Sequence, residues 1–326
     1  MMKEKRGTTL KLDKTAKAAR QWTVSIARLI FLVAFSYILI YPVIFMFTES
    51  IKTAADTMNP AVQWLSRNPT FYPYEMAWKG MEYPHAFLLT VEYEMVSAVL
   101  EVISCAVCAY GLARFNFRLK PVLMGLLIVT ILIPDIVLVI PRIQNFRDMD
   151  ILGIFGLIGN AVGTDLTPNL TDTVWTFYLP SICGVGLKGG VLIYIYMQFF
   201  KGLPRELEEA SWIDGAGPFR TFVQVIIPSS GVVILTVFVF AMVWHWNDWL
   251  LATMYTSNNW TLAAEIREIS QVIGRWAQAH NVTFDQQLSY GAPLAACLMY
   301  IAPPTIVYLF LQRKFIQSID RVGIVG

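Results

Sequence analysis

Four charged side chains stand inside stretches that are otherwise apolar: Glu101, Asp135, Lys188 and Asp248. Charge away from water is costly, so such residues face a protein interior or a wet path and pair with one another. Glu94 lies two helical turns before Glu101 and shares its helix face. Lys188 is the cation that can pair with one of these carboxylates, along a solute path or as an ion pair tying helices together. Trp246, Asn247 and Asp248 follow Trp244 and His245 and combine aromatic faces with an amide and a carboxylate. That set suits a ring that offers C–H faces and hydroxyls together. An aromatic belt at a lipid–water boundary uses the same residue types, and Trp249 fits that role better.

Other chemistry finds little support. Cys105 and Cys108 form a C-x-x-C inside an apolar run, without a βαβ pattern or a second pair nearby, so they read as small packing residues of a helix. His85, His245 and His280 lack metal-ligand spacing and read as ordinary polar residues, and no metal site is expected. The chain has no G-x-x-x-x-G-K-[ST], H-E-x-x-H or G-x-S-x-G, which argues against an enzyme and against ATP hydrolysis by this chain alone. Gly184, Gly186, Gly189 and Gly190 surround Lys188 without the context of a phosphate loop and read as flexibility or close packing.

The elements that hold these residues belong in a membrane. The chain has 326 residues, 56% hydrophobic and only 15% charged, with mean hydropathy +0.53. Soluble domains carry about 25% charged residues. A net charge of +2 without a concentrated basic face argues against nucleic-acid binding. The apolar runs predict an all-α integral membrane protein with six transmembrane helices, at about 24–47, 87–113, 121–141, 174–200, 226–255 and 290–312. Each is long enough to cross at about 1.5 Å per residue. A basic tail over 1–23 and a short tail over 314–326 flank a transmembrane domain over 24–313. The loop from Thr48 to His85 is rich in proline and aromatics, and part of it suits the bilayer surface.

Six crossings put both termini on one side. That side receives Lys3, Lys5, Arg6, Lys11, Lys14, Lys17, Arg20, Arg114, Arg118, Lys120, Lys201, Arg205, Arg220, Arg313, Lys314 and Arg321. The other side has longer loops but fewer basic residues: Lys52, Arg67, Lys79, Arg142, Arg147, Arg267 and Arg275. The positive-inside rule then makes both termini cytoplasmic. Asn169, Asn259 and Asn281 begin glycosylation-type triplets on the outer side, a pattern too common to carry weight.

One cytoplasmic connector is more than a charged hairpin. Leu203 to Pro228 opens with Pro204 and carries Glu206, Glu208 and Glu209 where a helix start favours acids. It breaks at Asp214-Gly215-Ala216-Gly217-Pro218 and then returns to an apolar run. Small residues (Ala210, Ser211, Gly215, Ala216) alternate with Trp212, Phe219 and Phe222. Such a surface allows close backbone approach, and its carboxylates can pair with Arg or Lys of another protein.

Glu209-Ala210-Ser211, Gly215 and Val225-Ile226-Ile227-Pro228 resemble the EAA motif of permease subunits in binding-protein-dependent ABC importers, which reads E-A-A-x3-G-x9-I-x-L-P. Ser211, Val225 and Ile227 are conservative departures from it. The phrase ELEEASWIDGAGPFRTF, together with AYGLARFNFR (Ala109 to Arg118), the Pro134 region, Trp246-Asn247-Asp248 and FLQRKF near the end, is similar to the carbohydrate-transport branch, in particular the smaller permease of the maltose importer. Gly323-Ile324-Val325-Gly326 departs from the commoner ending AVKG, and the first external loop carries least of the likeness.

The resemblance implies a type I ABC importer permease fold in the bacterial inner or plasma membrane, crossing it several times. It implies a sugar or oligosaccharide as solute, and as partners a second permease, a dimer of ATPase subunits and an extracytoplasmic sugar-binding protein. The 203–228 loop would seat in the ATPase through Glu206, Glu208, Glu209, Ala210, Ser211, Asp214, Gly215, Ala216 and Phe219. The translocation pathway would draw on Glu101, Asp135, Lys188, Trp246, Asn247 and Asp248. The chain would bind no cofactor, ATP and Mg being used by the partner ATPase. The alternative is a self-contained ion-coupled carrier using Glu101, Asp135 or Lys188, although no convincing repeat of the carrier type is visible.

Overall fold

The computed structural model describes residues 2–150, 153–164, 167–257, 260–283, 285 and 287–323, with side chains described over 21–314 of these except 160 and 162. Its regular elements are all helices. The chain opens on α1 (Met2–Ser50), which includes the basic stretch expected as a tail. Ala, Lys and Arg favour helix and Gly7 alone interrupts them, so propensity carries the helix through. The part from Gln21 to Ser50 is 30 residues long, about 45 Å. That exceeds a hydrocarbon core of about 30 Å.

An outer cap follows, with α2 (Ala54–Thr57) and α3 (Tyr72–Gly80). The loop between them is built around buried charge. Lys52 Nζ lies 2.5 Å from Glu49 and donates to the carbonyls of Val62 and Gln63 at 2.9 Å. Asp56 accepts from Ser66 Oγ and from the backbone of Arg67 and Asn68. The Ser66 hydroxyl and the two amides hold its carboxyl below the usual carboxylate range.

The hub of the molecule is the next helix. α4 (Tyr83–Thr90) runs through a π turn at Val91–Met95 into α5 (Val96–Arg114). α5 buries Ala98, Glu101, Val102, Cys105, Ala106 and Ala109 on one face, so small residues let neighbouring backbones come close. α6 (Lys120–Leu132) and α7 (Asp135–Arg147) come next, then α8 (Ile154–Val162) and α9 (Trp175–Ile182). α10 (Gly189–Gly202) presents Leu192, Ile193, Tyr196, Met197 and Phe200 to α5, the spacing of a helix stripe.

α11 (Glu206–Ile213) and α12 (Pro218–Thr221) lead through a π turn into α13 (Ile227–Ser229) and α14 (Gly231–Trp246). Beyond them lie α15 (Leu250–Tyr255), α16 (Leu262–Arg267), α17 (Ile269–Ala279) and α18 (Ala292–Gly323). α1 and α18 lie side by side, with their ends near Ser50 and Gly291 against the outer cap. Gln287 donates to the Lys52 carbonyl at 3.3 Å there. Residues 314–323, expected as a tail, continue α18, since no glycine or proline interrupts them before Gly323.

Among the described residues, three helical stretches are long and apolar enough to cross a membrane: Gln21–Ser50, Tyr83–Arg114 and Gln287–Lys314. Two bent pairs bring the number to five. The expected span at 121–141 is one of them, folded by 105° between α6 and α7. Ile133, held extended before Pro134, ends the first helix. The expected span at 226–255 falls partly in the second pair, bent by 83° at Ser230, and breaks again after Trp246. The expected span at 174–200 is two helices. Gly184 and Lys188 both take positive φ, 70° and 63°, and separate α9 from α10. The 14 residues of α10 reach only about 21 Å.

Candidate functional site

The polar connector folds as two short helices with a turn between them. Gly215, at φ 80°, closes α11. Its N–H donates to the Trp212 carbonyl and that of Ala216 to the Ser211 carbonyl, both at 3.0 Å, a glycine-dependent helix stop. Ser211 Oγ meets Thr221 Oγ1 at 3.0 Å and ties α11 to α12.

α11 is anchored on its inner side. Arg114 at the end of α5 donates to the Leu203 carbonyl at 2.8 Å and lies 3.4 Å from the Glu208 carboxylate. Both side chains are buried, and Tyr110 packs beside them against Phe222 and Phe200. Glu208 therefore faces inward, whereas Glu206, Glu209, Ala210, Asp214, Gly215 and Phe219 are exposed, with Ser211 and Ala216 half-buried. Ile213 is 87% exposed and Phe219 77%.

Three of the four charged residues found within the apolar stretches fall into two groups. Lys188 Nζ pairs with Asp135 at 2.6 Å, both partly exposed. The pair lies in a largely apolar cleft of about 450 Å³ between α5, α6 and α10, which Arg142 also lines. Glu101, fully buried on α5, belongs to the second group. His245 of α14 sits between it and Glu94, with Nε2 2.8 Å from Glu101 and Nδ1 3.0 Å from Glu94. Sequence reasoning passed over His245 because its partners lie far away in the chain. The only signal was the shared face of Glu94 and Glu101.

The aromatic run does not present its rings to an open path. Trp246 is buried against Phe87 and Tyr300, and its indole N–H donates to the Tyr300 carbonyl. Asn247 is exposed, and its side-chain oxygen accepts from the Tyr300 hydroxyl at 3.1 Å. Asp248 is buried and caps α15 by accepting from the Leu251 N–H at 3.0 Å. Trp249 carries the Arg267 guanidinium 4.8 Å above its ring.

The family model described as the binding-protein-dependent transport system inner membrane component matches residues 105–321. The chain belongs to this family. The match runs from within α5 through the α11–α12 element to α18, so this permease carries the element inside the region its family model covers. The diacetylchitobiose uptake system permease protein NgcG of Streptomyces coelicolor is 26% identical over 292 residues, covering 89% of this chain and 85% of that protein. The trehalose transport system permease protein SugB of Mycobacterium tuberculosis is 26% identical over 286 residues, 87% of this chain and 92% of its own. A crystal structure of a bacterial ABC transporter that imports the acidic polysaccharide alginate contains a chain with TM-score 0.67 and 19% identity, covering 89% of the permease and 96% of that chain. The permease shares that fold.

Proposed function

We propose that this permease is one membrane subunit of an ATP-driven sugar importer. Its partners would be a second permease, a dimer of ATPase subunits that use ATP and Mg, and an extracytoplasmic sugar-binding protein. The observation that carries the reading is the exposed α11–α12 element, held against α5 through Arg114 and lying inside the family match. The named solutes of relatives such as NgcG and SugB support a sugar as cargo. A six-crossing topology with cytoplasmic termini would put α11–α12 where an ATPase can reach it. The meeting of α1 and α18 at the outer cap supports that arrangement, because it leaves their far ends together.

Closure of the ATPase dimer moves the docked element and shifts the spans between inward-facing and outward-facing states. Such a shift requires the ATPase to bind the two states with different free energy. The contact surface is Glu206, Glu209, Ala210, Asp214, Gly215 and Phe219, with Ser211 and Ala216 behind them. Glu208 holds the element to α5. Asp135, Lys188 and Asn247 border the pathway, while Glu101, Trp246 and Asp248 support it from the buried side.

Glu209→Lys and Gly215→Leu test this in the reconstituted complex, with radiolabelled trehalose and diacetylchitobiose as probes. Both variants are expected to abolish ATP-driven uptake and weaken retention of the ATPase, while insertion and melting of the permease stay normal. Normal uptake in both would reduce the element to an ordinary loop. Gradient-driven uptake by the permease alone would favour an ion-coupled carrier instead.

A further inference from the structure

The contact between Glu94, His245 and Glu101 has a proton balance that its geometry fixes. Both ring nitrogens of His245 lie within hydrogen-bonding distance of a carboxylate oxygen. A neutral imidazole has one N–H, and an ionised carboxylate only accepts. A neutral ring between two ionised carboxylates would leave one nitrogen lone pair facing an oxygen lone pair. The arrangement therefore holds at least one further proton, on the second ring nitrogen or on one of the carboxyls.

The surroundings favour that proton. Asp248 adds a carboxylate beside Glu94, and Arg142, Thr176, Ser181 and Tyr255 line the same small void, the Thr176 and Ser181 hydroxyls donating to backbone carbonyls. The Tyr300 hydroxyl of α18 is occupied with Trp246 and Asn247. Asp135 and Lys188 offset each other. On the α9–α10 side, Gly186 and Gly189 come up against Glu101 and bring no charge. The second oxygens of Glu94 and Glu101 are buried with no hydrogen-bond partner. Even with His245 and Arg142 charged, Glu94, Glu101 and Asp248 leave an excess of negative charge, which is costly at this depth.

We propose that His245 is a positioning residue that, with Glu94 and Glu101, forms a proton-holding clasp transmitting the movement of α14 to α5. α14 continues from the α11–α13 element, and α5 is the hub against which α9, α10 and α14 pack. The clasp is the buried polar link between them. When its extra proton leaves, like charges and lone pairs face each other and the link opens. The link to transport rests on the coupling role proposed for α11–α12; the proton balance does not.

The experiment is a pH series on the complete complex in nanodiscs, reading melting temperature and binding-protein-stimulated hydrolysis of MgATP. Wild type is expected to lose both on an alkaline limb, with hydrolysis falling about tenfold per pH unit, as the protonated fraction does. Glu94→Gln lets a neutral ring accept from the amide and donate to Glu101, so it should keep both hydrogen bonds without the extra proton. That variant should retain neutral-pH hydrolysis and lose the alkaline limb. Superimposed profiles for wild type and Glu94→Gln would overturn the proposal. So would failure of both Glu94→Gln and Glu101→Gln to assemble at every pH, since a neutral clasp should hold. A limb that Glu94→Gln removes from melting, with no limb in hydrolysis, supports the clasp while separating it from coupling.

Discussion

Adjacent glutamates on α11 have opposite duties. Glu208 is buried against Arg114 and anchors the helix, whereas Glu209 is exposed and free to meet a partner. Removing one member of a buried pair leaves the other charge uncompensated, at a cost of about 3–5 kcal/mol. Exposed substitutions away from such pairs stay within about 0.5 kcal/mol. Glu208→Ala is therefore expected to lower the melting temperature of the permease clearly, and Glu209→Ala to leave it unchanged while reducing ATPase retention. Equal melting of the two variants would refute this division. The sequence made the acids of the first turn visible, but not which of them faces inward. That depends on Arg114, many residues earlier, and no local spacing reports it. His245 was obscured for the same reason, because its two carboxylates come from another helix.

The breaks between helices position the charged groups. Glu101 can sit deep in the molecule because the chain between α9 and α10 approaches it through glycines. A Cβ on Gly189 would lie 2.5 Å from the Gly184 carbonyl oxygen and 2.8 Å from Glu101, and one on Gly186 would lie 2.8 Å from the same carboxylate. The contact from Gly189 to Gly184 is with backbone, so no side-chain rotation relieves it. Overpacking of this kind costs about 1–3 kcal/mol. Gly189→Ala should therefore destabilise the complex in thermal melts, and Gly202→Ala, whose new Cβ meets nothing within 4 Å beyond its own stretch of chain, should not. Equal effects would mean that the break tolerates a side chain. The glycine cluster was legible as a place of flexibility or close packing. Its interruption of a span was not, because apolar composition is the same on both sides of a bend. Pro134 gave a clearer signal, since a proline restrains the residue before it.

At the scale of the whole molecule, the arrangement of helices bears on which side of the membrane each part occupies. The membrane class was legible from composition, and the helix–turn–helix of α11–α12 from its glycine and acids. The folded outer cap was not, because Lys52 and Asp56 are satisfied by backbone groups that no pattern of residue types announces. That cap now gives a reference face. The end of α1 and the start of α18 both meet it, and the Tyr83 hydroxyl at the start of α4 donates to the Met299 carbonyl of α18 at 3.0 Å. α5 runs away from this face and delivers Arg114 to α11 at its far end. The far ends of α1 and α18 and the α11–α12 element thus fall on the face opposite the cap, the face for which the bias of basic residues predicts the cytoplasm. A green fluorescent protein fused after Gly326 should fluoresce in a bacterial host, since it matures in the cytoplasm and not after unfolded export. Alkaline phosphatase inserted between α16 and α17 should be active, because its disulfides form only outside the cytoplasm. The opposite pair of results would invert the molecule, placing α11–α12 beyond the reach of any cytoplasmic ATPase and removing the basis for the coupling role.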